Sequence, residues 1–311
     1  MFPRALVKEG LTLTMPLYVF LPHNQSLILY RKVGDIIGQD NIASLKKIPP
    51  EQLLYDNADS EKVYALGGQA LSADVKAGNI NSESVKSIAS GMLETLNETS
   101  NLDNCMNRAS TLVQTLIKNF NKTASVVSYD QALKIAMCSA SDPLTIHHQQ
   151  VSSLAVLMAL TTGDFSMDDI SDLAAAGLIH DLGLKEITHS LAESHFKGVR
   201  EMSAQEKVIY MRHIDLTLEL IKKNKIQVTP GIERIIDHHH ECWDGMGFKR
   251  CVGNKIYRPA RVLRLADDLV SVIQGSHYVL GFKSGLEALR KAAGHYDPLL
   301  LKILLQQAEQ V

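Results

Sequence analysis

Little cysteine is present: four residues among 311, Cys105, Cys138, Cys242 and Cys251, with no CxxC pair and no regular framework. That excludes a zinc ribbon and a disulfide scaffold and fits a reducing cytoplasm, the expected location. Long apolar runs are lacking too. The opening stretch, MFPRALVKEGLTLTMPLYVFLP, has no extended apolar core after its first charges, and no later segment approaches the ~20 uninterrupted apolar residues of a spanning helix, so a soluble protein without membrane attachment is expected. Neither sign of charge dominates, with 32 Lys plus Arg against 34 Asp plus Glu. There is no overall field of the kind that draws a protein to polymeric nucleic acid or to anionic lipid, whereas a small anionic ligand needs only a local patch. Internal repeats and low-complexity tracts are absent as well.

What is present is a globular chain, 45% apolar and long enough for two domains of ordinary size. Residues 1–75 contain short β-rich runs, LTLTMPLYVFL, SLILYRKVG and EKVYALGG, divided by Pro, Asn and Gly, which predicts a small mixed α/β domain of regulatory or docking type. Residues 76–125 are polar but keep helical spacing at Ile88, Met92 and Leu96, as in a helical connector. Residues 126–311 read as helices throughout, so the fold class expected is mainly α: a helical bundle preceded by the small mixed domain and the connector.

Histidines and aspartates recur on the apolar stripes of these helices, the faces that point into a bundle core. His147 leads Val151, Leu154 and Met158; His148 falls off that stripe. His180 and Asp181 end a small-residue helix just before Gly183. His213 aligns with Ile209, Leu216 and Leu220. Pro230 suits a first helical turn, and Ile232, Ile235 and Ile236 continue into His239 and His240, with His238 off the face. Asp267 sits between Leu263 and Val270, while Asp268 turns outward. A single inward histidine is most often a hydrogen-bonded core residue. Five histidines and two aspartates on successive inner faces would all carry desolvation penalties if unpaired, and a cluster of metal ions satisfies them together. Imidazole with carboxylate and no thiolate suits Fe, Mn or Zn. Two ions, bridged by the Asp of the HD pair, account for so many ligands better than one.

In order, HHQQV (147–151), HDLG (180–183), HHECWDGMG (239–247), LADD (265–268) and YDP (296–298) resemble the HD-GYP family, a branch of the HD-domain metal-dependent phosphohydrolases. The resemblance covers residues ~126–311 and implies an HD-type helical bundle. It implies His147, His180, Asp181, His213, His239, His240 and Asp267 as metal ligands, with Asp181 as the bridge that orients the hydroxide. It also implies attack by a metal-activated water or hydroxide on a phosphodiester, the family substrate being the bacterial second messenger cyclic di-GMP. Two divalent ions are expected, Fe or Mn in preference to Zn.

Departures from the family pattern bear on substrate. The Gly-Tyr-Pro signature reads Gly247-Phe248-Lys249, and the lysine after HDxG is Leu184, with Lys185 one place later. The arginine-rich segment after the last aspartate reads Ser276-His277-Tyr278-Val279. Pro143 stands where some members place a Glu that supports a third ion, with Asp142 adjacent. Lys185, Trp243, Lys249 and Lys283 are therefore the candidates for contacting substrate, Trp243 as a stacking platform for a base; Asp244 organises the turn. The first expectation is a phosphodiesterase acting on cyclic di-GMP or a related small phosphodiester, with impaired or altered recognition. The alternative is a metal-containing nucleotide sensor or protein-interaction module without turnover, meeting a signalling protein partner.

Overall fold

A computed structural model describes residues 1–76, 85–90, 143–187, 202–275 and 282–309. Most of the expected connector, Cys105, Cys138, Asp142 and the 276–279 segment lie outside the described residues. The protein is mainly α with a small N-terminal sheet. β1 (Leu17–Leu21) is central, flanked antiparallel by β2 (Ser26–Arg31) and the two-residue β3 (Leu53–Leu54). Leu17 and Val19 alternate into the core, the period expected of a strand with one buried face. A short α1 (Gln39–Leu45) lies between β2 and β3.

One strand expectation fails. EKVYALGG belongs to α2 (Ser60–Lys76), whose Val63, Leu66 and Leu71 are buried. The β-branched and aromatic pair Val63-Tyr64 favours a strand locally, but an apolar face at helical spacing decides the outcome. Residues 85–90 are also helical, with Ile88 fully buried.

The helical part is built on α3 (Pro143–Thr162), which packs against α4 (Met167–Ile179), α8 (Arg258–Gly275) and α10 (Pro298–Glu309). Close packing of α3 on α4 follows from the small residues Ala174 to Gly177: a Cβ on Gly177 would meet the Ser152 backbone, and Ser152 Oγ donates to the Ala174 carbonyl at 2.8 Å. Ser166 caps α4 in a capping box with Asp169. α5 (Ala204–Met211) and α6 (His213–Lys223) follow, then α7 (Pro230–His238), capped by Thr229 with Pro230 in its first turn and with Ile232, Ile235 and Ile236 buried as expected. α9 (Phe282–Lys291) packs on α8. Buried residues of the N-terminal elements, such as Phe2 and Leu53, and of the helices, such as Leu154 and Leu263, belong to one hydrophobic cluster. Among the described residues no helix is long and apolar enough to cross a membrane.

Candidate metal centre

Helix ends deliver the side chains of the centre. After α4 the chain passes through His180 and Asp181 into a 3-10 turn, Leu182–Glu186. Only glycine fits at 183, because a Cβ there would collide with the His213 carbonyl. The Gly183 amide donates to Thr217 Oγ1 at 2.9 Å, and the Thr217 hydroxyl lies 2.8 Å from the His213 carbonyl and 3.1 Å from that of His180. The HD turn is thus tied to the first turn of α6, beside His213. α7 then ends at His238, leaving His239 and His240 to follow it into the same space.

The stripe proposed for His213 holds only from that residue onward. Ile209 is exposed, and the residues buried with His213 are Ile214, Thr217 and Ile221. Arg212 is itself in the helical region, and buried Tyr210 continues the face of His213, Ile214, Thr217 and Ile221 at helical spacing, so the buried stripe runs through position 210 and leaves Ile209 outside it.

All seven residues read as inward are at most 4% exposed. Ligating atoms of Asp181, His213, His239 and His240 lie within 4.8 Å of one another, and so do those of His147, His180 and Asp181. Asp181 belongs to both groups. One of its oxygens is 3.1 Å from His213 Nε2 and 3.2 Å from His239 Nε2; the other is 3.4 Å from His180 Nε2. Asp267 lies beside the second group, 3.1 Å from His147 Nε2.

A second ring of contacts sets the tautomers. Nδ1 of His180 donates to the Gly177 carbonyl (2.9 Å), that of His213 to Tyr210 (2.6 Å), that of His239 to Ile236 (2.6 Å), and that of His147 to Gln274 Oε1 (2.8 Å). For His180, His213 and His239 this leaves Nε2 turned away from its carbonyl, the arrangement found around metal-bound histidines, while Nε2 of His147 faces Asp267. The Nε2 atoms of His180, His213 and His239 are buried with no hydrogen-bond partner. Buried lone pairs of this kind converging on a shared carboxylate fit hard or borderline divalent ions, so the residues present suit the group that an HD pair implies.

Burial and mutual charge set the ionisation of these groups. Burial opposes charge on Asp181, yet His180 and His213 outweigh it and hold the carboxyl well below the usual range. Burial pushes His180 down to about 4. His147 and His213 are also disfavoured by burial, but Asp267 and Asp181 respectively raise them. Burial, with His239, His213 and Arg264 nearby, keeps His240 well below the ordinary imidazole range.

Several neighbours escape a reading of periodicity. His148, placed off the stripe by its spacing, is buried, its ring centroid 5.1 Å from that of His180. α3 is enclosed by three helices, so it has little outward face on which a histidine could sit. Asp268 does not turn to solvent. It pairs with Arg264 Nε at 2.8 Å and accepts from the Tyr296 hydroxyl at 2.8 Å. Buried Glu241 accepts from the amides of Lys249 and Cys251, each at 2.6 Å, and so shapes the loop after His240. Gly247 is required there because a Cβ would strike the Glu241 and His240 backbone. Asp244 accepts from the Met246 amide at 3.0 Å, organising the turn as expected.

The four substrate candidates are spread out. Lys185 is exposed on the turn that follows Asp181. Lys249 is exposed and ion-paired with Asp237. Trp243 is half-buried, with the Arg261 guanidinium 5.1 Å from its ring centroid and its amide bonded to the His295 carbonyl. Lys283 lies on α9, and its side chain is outside the described residues. At the positions of the missing lysine and tyrosine, Leu184 is buried with Leu144, Met202 and Tyr210, and Phe248 packs against the same cluster, its ring centroid 4.7 Å from His240.

The chain is similar to several known proteins. One curated relative, named 3'3'-cGAMP-specific phosphodiesterase 2, from Vibrio cholerae, is 26% identical over 139 residues, 43% of this chain and 26% of the relative; the chain thus spans about a quarter of that protein's length. A solved structure described as Bd1817, a HDG"Y"P protein from Bdellovibrio bacteriovorus, aligns over 98% of this chain and 96% of that one, with a TM-score of 0.47 and 18% identity. Residues 132–300 match the sequence profile of the HD domain family. The profile match bears out the HD-domain resemblance read from the order of the histidine and aspartate motifs, and with more than half its length in that match the chain belongs to the HD domain family.

Proposed function

We propose that this protein is a metal-dependent phosphodiesterase of HD-GYP type, a cytoplasmic signalling enzyme whose substrate is a cyclic dinucleotide or a related small phosphodiester. The observation that carries the reading is the position of Asp181, fully buried and common to two groups of ligating atoms. One divalent ion would be held by His147, His180 and Asp181 with Asp267 alongside, the other by Asp181, His213 and His239, with His240 at its edge. Fe and Mn are favoured, and Zn suits the same donors. Such ions, when bound, supply an activated water and offset charge developing on the phosphoryl oxygens. The chain's own part is to fix each imidazole through its Nδ1 bond, to hold Asp181 ionised between the two groups, and to exclude water with the wall of Leu184, Tyr210 and Phe248. The activity named for the Vibrio cholerae relative supports the substrate class. In this reading residues 126–311 form the catalytic domain, 1–75 a regulatory or docking domain for a signalling partner, and 76–125 the connector.

A second reading, a nucleotide sensor without turnover, is favoured by one observation: the position of the family lysine is an apolar side chain 1% exposed. A turnover assay separates the two. Hydrolysis of cyclic di-GMP, of 3'3'-cGAMP or of an activated generic diester such as bis-p-nitrophenyl phosphate, lost on chelation and restored by Mn or Fe, is expected. Binding of cyclic dinucleotides with no cleavage of any of the three by the metal-loaded protein would establish the sensor.

A further inference from the structure

Both nitrogens of His147 meet the same helix. Asp267 Oδ1 lies 3.1 Å from Nε2 and Gln274 Oε1 lies 2.8 Å from Nδ1, and the two residues stand about two turns apart on α8, so one element clasps the ring from both sides. His180, His213 and His239 are oriented instead by carbonyls three residues back, those of Gly177, Tyr210 and Ile236. Local backbone supplies such a carbonyl whatever the side chains are. An amide side chain reaching across 127 residues has to be chosen and held. Gln274 is held by Gln150, one turn past His147 on α3: the Gln274 Nε2 donates to Gln150 Oε1 at 3.0 Å, which leaves Oε1 of Gln274 facing the imidazole. The contacts thus close a loop between α3 and α8. It is not made for packing. Gln150 is 2% exposed and its own Nε2 is buried without a hydrogen-bond partner, a penalty that an apolar pair of similar shape avoids.

We infer that Gln274, held in turn by Gln150, is a positioning residue for His147 and sets how tightly the chain binds one of its two ions, the one in the group of His147 and His180. The two metal positions are then unequal by construction. The position formed by His213 and His239 depends on backbone geometry local to its ligands, whereas the other depends on side chains brought together from two helices. A change at the end of α8 therefore reaches one ion and not its neighbour. Neither glutamine touches an ion or a substrate: Gln274 acts through the His147 ring, and Gln150 acts through Gln274.

The inference rests on the metal-dependent reading above, and the experiment keeps the two apart. Zinc is titrated into the metal-free chain against a competing chelator, so that two dissociation constants are read, with circular dichroism as the control for folding. Gln274→Met keeps the length of the side chain and removes its oxygen; it should weaken one ion about 10- to 100-fold and leave the other at the wild-type value. Gln274→Glu keeps an oxygen toward the ring and should hold both ions as the wild type does. Gln150→Met should weaken the same ion by a smaller factor. In a His147→Gln background Gln274→Met should change nothing further, because its effect passes through that ring. A packing role predicts the opposite order, with Glu the damaging substitution and Met the harmless one. Unchanged zinc affinities in Gln274→Met, equal weakening of both ions, or a loss in Gln274→Glu as large as that in Gln274→Met overturns the inference. Should Gln274→Met fail to fold, Gln150→Met decides: selective weakening of one ion supports the inference and two wild-type affinities overturn it. A wild-type chain that takes up no zinc overturns the metal-dependent reading and this inference with it, whereas two ions in the wild type without selective loss in the variants overturn the inference alone.

Discussion

Asp181→Ala is expected to empty both metal positions at once, taking the metal content from about two ions per chain to near zero and hydrolysis below detection. The size of the effect follows from the sharing of one side chain. His213 and His239 approach one carboxylate oxygen and His180 the other, so Asp181 is the one acid common to both groups, whereas Asp267 lies beside His147. Loss of a ligand belonging to one group, as in His213→Gln, should by contrast spare the other ion. Elemental analysis of the folded variants, with circular dichroism as the control for structure, makes the comparison. An Asp181→Ala protein that retains full metal content would show that the carboxylate does not bridge.

Leu184→Lys should give the largest loss of stability. Restoring the residue expected after the HD motif looks from the sequence like a repair of substrate binding, since position 184 is three residues past Asp181. In the folded protein that position points into Leu144, Met202 and Tyr210. An unpaired ammonium placed there carries a penalty of several kcal/mol, so a lower denaturation midpoint is expected in place of a gain in turnover. Should Leu184→Lys prove as stable as the wild type with improved cyclic dinucleotide hydrolysis, the cluster would have to open toward the centre, and the wall described here would be a movable one.

Sequence alone carried the inner faces of the helices because a ligand and a core residue obey the same periodicity. His147, Asp267 and the run from Ile232 to His240 were legible for that reason, and the HD pair because a helix end rich in small residues leaves few other uses for adjacent His and Asp. Periodicity failed where geometry is not that of one straight, one-sided helix. His148 is buried because α3 is enclosed; Ile209 is exposed because the buried face runs through Tyr210, one residue on; EKVYALGG is helical because tertiary burial of Val63, Leu66 and Leu71 overrides a local β preference. Nor can spacing reveal contacts made across the fold. Arg264 reaches His240 over 24 residues, Gln274 reaches His147 over 127, and the Asp268 carboxylate that spacing assigns to solvent is taken by Arg264 and Tyr296. For His147 and His240 the Nδ1 partner is thus distant in sequence, whereas for His180, His213 and His239 it is a carbonyl three residues back.

The measurement closest to the central claim is the metal content of the purified chain, taken without added metal and again after chelation and reloading with Mn, Fe or Zn. About two ions per chain, removed by chelator together with phosphodiesterase activity and restored with it, is the result expected of a centre built around Asp181. A chain that takes up no first-row metal under any of these loadings, with His180, His213 and His239 simply bonded to Asp181, would contradict it.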